Sequence, residues 1–390
     1  MSVYNAGLPQ ATATSGGSSI GDMSWLPESG DTVVKADGSV WLRSGSFLPA
    51  SAYPAAAQLE HLKVSGLLAS NSANITVIQA ADNGAGSVVV TTGSTSVLVS
   101  TDWGASYSLV NPGLGLPVHA VAWVAASGRF IIAGNDGATS RLAWSTTGTS
   151  YTAGANGPSG TLSGQIRAAA TANQALFVVQ NGSTATAVTT VDGATATPRA
   201  ISIGAQPAVY AGGNTFVILQ SGSPGAYWSA DGVTFNSFTL PATYGQAAWA
   251  AGSWMFMTNT PAYHTTSDFS GWKARTLPFN ATLIGQTFFR LSHDASRAYL
   301  GFASSYGAFP ALAWSNDGIN WRLRWLSVKP AISQAWYCHA GRYVLPHNYA
   351  VSTILRIPDF NQADYVGVAA PVYDDYSNLA TSAVGYLRVK

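Results

Sequence analysis

The sequence predicts an all-β fold built from one short unit that is repeated along most of the chain. Two observations lead to this prediction: a tight-turn motif recurs at regular intervals, and apolar runs of strand length precede each copy. The clearest copy runs from Trp314 to Trp321 and contains the pair Asp317-Gly318. An Asp-Gly pair between two β-prone runs favours a hairpin, because the carboxylate can accept backbone hydrogen bonds and the glycine tolerates positive φ.

The spacing of the motif predicts the architecture. Copies begin at Ser100, Ser145, Thr190, Ser229, Thr266 and Ser315, so successive copies are 45, 45, 39, 37 and 49 residues apart. A four-stranded propeller blade takes roughly 40–50 residues. A seventh unit, over residues 335–360, has the apolar strands but no good turn motif. We therefore predict a seven-bladed β-propeller over residues 64–360, in which aromatic side chains fill the wedges between blades.

The residues predicted to build the turns share one structural role, which is to hold the chain reversal of each hairpin. They are Ser100, Asp102, Gly104, Tyr107, Ser145, Gly148, Tyr151, Asp192, Gly193, Ser229, Asp231, Gly232, Phe235, Asp268, Gly271, Trp272, Ser315, Asp317, Gly318 and Trp321. We expect the aromatic residue that ends a motif to fold back over its own turn and to be buried there. Some copies are incomplete, since Thr147 stands in the aspartate position and no aromatic residue follows Gly193.

This motif resembles the Asp-box, or BNR, repeat, which is written Ser-x-Asp-x-Gly-x-x-Trp and occurs in sialidases, sortilin-like receptors and many other β-propellers. The copy at Ser100 keeps that spacing, with Tyr107 in the Trp position, whereas the copies at Ser229 and Ser315 lack the residue between Asp and Gly. In that family the box joins the two outer strands of a blade. The resemblance implies a structural role for the box aspartates, with calcium binding or catalysis as the alternative.

Composition limits the possible partners. Only 9% of the 390 residues are charged, against about 25% in an average soluble protein, and the net charge is +1. Such a surface favours neutral partners, and without a Lys/Arg cluster we do not expect nucleic acid binding. We expect no metal and no cofactor, because no Cys-x-x-Cys or His-x-x-x-His pattern occurs. We also expect no membrane span and synthesis in a cytoplasm without a signal peptide.

The two ends of the chain differ from the repeats. Residues 1–63 contain a Ser/Thr/Gly-rich stretch and a predicted hairpin around Asp37-Gly38, and residues 361–390 are predicted as a loop followed by a strand at 384–389. The seventh unit lacks an outer strand, which either the hairpin strand at 37–41 or the strand at 384–389 could supply. We favour the second, which leaves residues 1–63 as an attachment or oligomerisation segment.

The runs 25–30, 35–45 and 52–54 resemble N-terminal segments of tailed-phage tail proteins, and the ending 385–390 resembles the same proteins. This resemblance implies that the protein belongs to a virion tail, where residues 1–63 dock to other tail proteins. It also implies a homo-oligomer, commonly a trimer, and a host-surface glycan or protein as the partner of the propeller. It does not identify that ligand.

Three functions remain open. The leading prediction is a non-enzymatic tail protein that binds a host-surface receptor or forms part of the tail tip. The alternative is a cellular Asp-box propeller that acts as a scaffold or assembly factor. A glycan hydrolase comes third, because residues 64–360 contain no glutamate, whereas sialidases need a Tyr-Glu nucleophile pair and glycosidases in general need two carboxylates about 5–10 Å apart.

Overall fold

The computed structural model describes the chain in ranges that cover most of the repeats. These ranges are 23–26, 32–34, 36–37, 40–43, 47–49, 51, 63–65, 68–71, 77–159, 165–182, 184–203, 207–257, 262–277, 287–293, 297–304, 311–326, 337–339, 342–346, 353–356, 365–367 and 384–388. Within them the regular structure consists of β-strands, and no helix there is long and apolar enough to cross a membrane.

The strands fall into three groups along the chain. Six precede the repeats: β1 (Met23–Leu26), β2 (Thr32–Val34), β3 (Val40–Arg43), β4 (Phe47–Pro49), β5 (Lys63–Ser65) and β6 (Leu68–Asn71). Twenty follow: β7 (Gln79–Asp82), β8 (Val88–Thr91), β9 (Val97–Ser100), β10 (Ser108–Val110), β11 (Val118–Val124), β12 (Arg129–Asn135), β13 (Ser140–Ser145), β14 (Thr152–Asn156), β15 (Arg167–Ala170), β16 (Ala175–Asn181), β17 (Thr184–Thr190), β18 (Thr197–Ile201), β19 (Pro207–Gly212), β20 (Thr215–Gln220), β21 (Gly225–Ser229), β22 (Asn236–Thr239), β23 (Gln246–Ala250), β24 (Ser253–Met257), β25 (Ala262–Thr266) and β26 (Lys273–Thr276). The last nine are β27 (Thr287–His293), β28 (Ala298–Ser304), β29 (Ala311–Ser315), β30 (Arg322–Leu326), β31 (Tyr337–His339), β32 (Arg342–Pro346), β33 (Thr353–Arg356), β34 (Tyr365–Gly367) and β35 (Val384–Arg388).

Strands β7 to β33 form successive antiparallel sheets in chain order. Sheets 1 to 5 are β7–β10, β11–β14, β15–β18, β19–β22 and β23–β26. Sheet 6 starts with β27–β30 and is extended by β5, β34 and β4, and sheet 7 consists of β31–β33 and β6. The predicted all-β fold of repeated four-stranded antiparallel sheets is thus confirmed.

Burial changes systematically across each sheet. The second strand of sheets 1 to 5 is buried along most of its length, as in the run Phe130–Asn135 or Trp254–Met257. Fourth strands are largely exposed, as in β22 and β26. Continuous apolar runs therefore mark strands covered on both faces, while polar sequences mark the outer edge.

Most clusters of the hydrophobic core lie between neighbouring sheets. One cluster joins Ala133 and Leu142 of sheet 2 to Ile166 and Phe177 of sheet 3, and further clusters join sheets 1 and 2, 3 and 4, 4 and 5, and 5 and 6. First strands of consecutive sheets contact each other from β7 through β31, and β31 also contacts β7. The sheets therefore pack face to face in a closed circle, so each needs its neighbours to bury its apolar faces.

Both predictions for the strand that completes the seventh unit, residues 37–41 and residues 384–389, are wrong. The strand that pairs with β33 is β6, in a register that sets Thr353 opposite Asn71 and Arg356 opposite Leu68. The hairpin strand β3 and the C-terminal strand β35 pair instead with each other. Strand β6 pairs with β33 because it directly precedes sheet 1 in the chain. This part of the chain can therefore reach the neighbouring edge of sheet 7 and join the two ends of the circle.

The remaining terminal strands form two further arrangements. We call β1, β35, β3 and β2, in that order of pairing, the terminal sheet; it contains no strand of the repeats. Strand β5 lies parallel to β30, where Trp325 faces Val64, and β34 then pairs with β5 and β4. Residues 361–390 therefore contribute strands to both the terminal sheet and the edge of sheet 6, and they do not close the circle.

Candidate functional site

The predicted turns link the third and fourth strands of sheets 1 to 6. In the turn of sheet 6, the Oδ1 atom of Asp317 accepts hydrogen bonds from the backbone N–H groups of Ile319 (2.8 Å) and Asn320 (2.7 Å) and from the hydroxyl of Ser315 (2.9 Å). The Oδ2 atom accepts one from Nδ2 of Asn320 (2.6 Å). Gly318 has a φ of 70°, which glycine adopts without strain. The carboxylate thus satisfies amides that the chain reversal leaves without strand partners.

The same geometry recurs in other copies. Asp231 accepts from the N–H groups of Val233 and Thr234, both at 2.8 Å, and the hydroxyl of Ser229 accepts from the N–H of Gly232 at 2.9 Å. Asp192, Asp268 and Asp102 also accept turn amides. Where Thr147 replaces the aspartate, its hydroxyl accepts from one turn amide, the N–H of Thr149, at the longer distance of 3.3 Å, and it shares a hydrogen bond of 2.8 Å with the hydroxyl of Thr149.

The predicted role of one turn glycine, Gly271, is wrong. In the turn of sheet 5, the position equivalent to Gly232 is occupied by Phe269, whose N–H donates to Oγ1 of Thr266 and whose φ is 61°. Gly271 instead donates its N–H to Asp268 at 2.8 Å. A bulky residue with this φ costs about 1–2 kcal/mol. Stacking offsets part of the cost, because the Phe269 ring lies 5.2 Å from the Trp228 ring at an interplanar angle of 13°.

The turn carboxylates have lowered pKa values. Backbone hydrogen bonds from Gly271 and Ser270 lower the pKa of Asp268 to about 2. For Asp317, burial acts in the opposite direction, but the hydrogen bonds from Asn320, Ile319 and Ser315 outweigh it and hold the pKa well below its usual range. A general acid at neutral pH needs a raised pKa. These carboxylates are instead suited to act as permanent hydrogen-bond acceptors.

The turns of sheets 2 to 6 also contact the preceding sheet. The hydroxyl of Tyr263, on β25, donates to the carbonyl of Gly318 at 3.0 Å and accepts from Nε1 of Trp321 at 3.1 Å. A Cβ atom added to Gly318 would lie 3.0 Å from Sδ of Met255, another residue of sheet 5. The glycine therefore allows a close approach between the sheets as well as the positive φ.

Equivalent contacts occur around the circle. Gln174 of sheet 3 donates to the carbonyl of Asp231 at 2.7 Å, and Arg129 of sheet 2 donates to that of Asp192 at 2.9 Å while its guanidinium lies over the Trp144 ring. A Cβ atom on Gly148 would lie 2.8 Å from Cγ2 of Val89 in sheet 1. The turns therefore connect consecutive sheets.

The aromatic residues that end the motifs do not pack where the sequence predicted. Trp321 is half-buried and packs between sheets 5 and 6, and Phe235 and Trp272 are likewise half-buried between their own sheets and the preceding ones. Tyr151 packs with residues of sheets 1 and 2, and Tyr107 with residues of sheet 1. All of them except Tyr107 therefore pack between two sheets, as expected for the wedges between blades, and do not simply cover their own turns.

Two polar side chains near the axis link sheets that are not neighbours. The amide of Gln79 on β7 donates to the carbonyl of Ala168 on β15 and accepts from its N–H. At the far end of the first strands, Nε2 of His293 on β27 lies 2.7 Å from the carbonyl of Ala211 on β19. Each contact passes one intervening sheet, so these side chains stabilise the inner rim of the circle.

A cavity of about 120 Å³ opens beside the turn of sheet 6. Its walls are formed by Trp314, Ser315, Asn316, Asp317, Asn320 and Arg322. Sequence reasoning named the serine and aspartate as structural but missed Asn316 and Arg322, because neither belongs to the motif. Among the described residues, no group of three or more His, Cys, Asp or Glu side chains is placed to hold a metal ion.

No protein-family model matches the chain, and no curated protein matches it. Solved structures do. A structure of YCF48 bound to D1 peptide has a TM-score of 0.55 at 12% identity over 76% of this chain and 97% of that one. YCF48 from Cyanidioschyzon merolae has a TM-score of 0.51 at 11% identity, covering 75% and 98% of the two chains. The similarity shows a β-propeller fold and, at these identities, the fold alone.

Proposed function

We propose that this protein is a seven-bladed Asp-box propeller that binds a surface ligand non-covalently and is carried in a bacteriophage tail by a module made from both chain ends. One observation carries the proposal. The two end segments that resemble phage tail proteins meet in the terminal sheet, where β35 lies between β1 and β3. Trp25 faces Gly385 and Trp41 faces Arg388 across these strands. A separate sheet of this kind suits attachment, since it leaves the circle of sheets complete.

The circle itself supports a binding role. Its turns are used for contacts between sheets, which leaves the loops and cavities of a rigid frame available for recognition. The lowered pKa values of Asp268 and Asp317 favour hydrogen-bond acceptance and do not suit these two carboxylates to act as general acids. Few charges on the chain favour a neutral ligand, such as a glycan, or a protein.

The second candidate is a cellular propeller that acts as a scaffold or assembly factor. The observation that favours it is that a solved propeller similar to this chain, YCF48, holds a D1 peptide. A scaffold of this kind would bind an extended peptide in place of a cell surface.

A truncated protein without residues 1–46 and 380–390 tests the proposal. This variant removes β1, β2, β3 and β35 but keeps β4, β5, β6 and β34, which pair with sheets 6 and 7. We expect cooperative thermal unfolding at nearly the same temperature, retained binding to host cells, and no incorporation into virions. A truncated protein that still enters virions, or a full-length protein that never does, would contradict the attachment role.

A further inference from the structure

The cavity beside the turn of sheet 6 combines free and occupied polar groups. Asp317 uses Oδ1 for three hydrogen bonds within the turn, but Oδ2 accepts only one, from Asn320. Within the described part of the chain, neither the amide of Asn316 nor the guanidinium of Arg322 forms a hydrogen bond or ion pair, and both side chains are exposed. The cavity therefore offers acceptor capacity on Oδ2 next to several unused donors.

We propose that this cavity binds one ring of a neutral, polyhydroxylated sugar. A sugar hydroxyl both donates and accepts, so it can donate to Oδ2 of Asp317 and accept from Asn316 or Arg322. Charge favours a neutral ligand, because the carboxylate repels anions and the guanidinium repels cations. Trp314, another wall residue, is only 7% exposed, so it closes the cavity and the polar groups make the contacts with the sugar.

The turn of sheet 4 provides an internal control. It has the same Trp, Ser, Asp and Gly residues, but Ala230, Thr234 and Asn236 replace Asn316, Asn320 and Arg322. Asn236 faces Trp228 across the strands, as Arg322 faces Trp314. The aspartate therefore accepts the same turn amides in both copies, and the polar side chains that line the cavity differ, as do Val233 and Phe235, which replace Ile319 and Trp321.

The test measures sugar binding to the full-length protein by saturation-transfer NMR. The probes are D-glucose, D-galactose and L-rhamnose, with D-glucuronate and D-glucosamine as charged comparators. We expect a neutral sugar to bind with a dissociation constant of about 1–10 mM, which is typical of a small ligand held by few contacts. Asn316→Ala and Arg322→Ala should each weaken binding about tenfold, as the loss of about 1.4 kcal/mol predicts. Asn236→Ala should leave binding unchanged.

Transferring the cavity residues to the turn of sheet 4 provides a gain-of-function test. Combining Ala230→Asn, Thr234→Asn and Asn236→Arg should create a second site and raise the stoichiometry from one sugar to two. The proposal is overturned if the charged comparators bind more tightly than every neutral sugar, if Arg322→Ala binds as well as the unchanged protein, or if no neutral sugar binds at about 50 mM.

The sugar site rests on the proposed surface-recognition role, but experiments can refute the two proposals independently. If Arg322→Ala loses sugar binding in NMR while the protein never enters virions, the phage role fails and the sugar site stands. If the full-length protein binds host cells and Arg322→Ala binds them equally well without any measurable sugar affinity, the site is wrong and the recognition role stands.

Discussion

Replacing Tyr263 by Phe removes one oxygen atom from the contact between sheets 5 and 6. The Tyr263 side chain is only 1% exposed, and its hydroxyl bonds both the carbonyl of Gly318 and Nε1 of Trp321. A neutral hydrogen bond contributes about 1 kcal/mol, and a buried carbonyl left without its donor adds a desolvation cost. We therefore expect Tyr263→Phe to lower the free energy of unfolding by about 2–3 kcal/mol.

The assay is urea unfolding followed by tryptophan fluorescence. Tyr227→Phe is the matched control, because the hydroxyl of the half-buried Tyr227 also donates to a carbonyl, that of Ser202 at 2.6 Å, but this hydrogen bond is exposed to solvent. The control should lose less than about 1 kcal/mol with an unchanged dependence on urea. Equal stability of the two variants would refute the conclusion that the turns join consecutive sheets.

Three other predictions concern the turns and the proposed non-enzymatic role. Gly148→Ala should lower the free energy of unfolding by about 1–3 kcal/mol, since Gly148 has a φ of 84° and the new methyl group would lie 2.8 Å from Val89; an unaltered urea midpoint would show that the approach is not tight. Because the pKa of Asp268 falls to about 2 on folding, from about 3.9 in an unfolded chain, its contribution to stability is present above about pH 4 and is lost as the pH falls through about 2. Asp268→Asn should therefore flatten the acid limb of a plot of thermal midpoint against pH, and an identical acid limb would exclude this role. The purified protein should release no sialic acid and cleave no host polysaccharide above background, and turnover abolished by a single Asp→Asn change would contradict the non-enzymatic proposal.

Local turn chemistry could be predicted from the sequence because all its determinants lie within a few residues. The pairs Asp231-Gly232 and Asp317-Gly318 supply the acceptor and the positive φ themselves, and the repeat interval then predicts the four-stranded sheets. Phe269 shows the limit of this reasoning. Its φ of 61° is tolerated because its ring stacks on Trp228 of another repeat, and the spacing of one motif contains no information about such a contact.

Contacts between repeats were not predictable for the same reason. Tyr263 lies 55 residues from Gly318, and nothing near either residue indicates that their polar atoms meet. The closing strand was missed because β6 is a short segment, Leu68–Asn71, without any motif, whereas the incorrect candidates had stronger strand patterns. Asn316 and Arg322 become candidate binding residues only because the structure shows that they line the same cavity as Asp317.

The decisive measurement is the binding of the fluorescently labelled, full-length protein to intact bacterial host cells. We expect saturable and reversible binding, with the protein and the cell-surface polymers recovered chemically unchanged after elution. A folded protein that shows no saturable binding to host cells, or one that leaves the surface polymers cleaved, would contradict the claim that this propeller is a non-covalent surface-recognition protein.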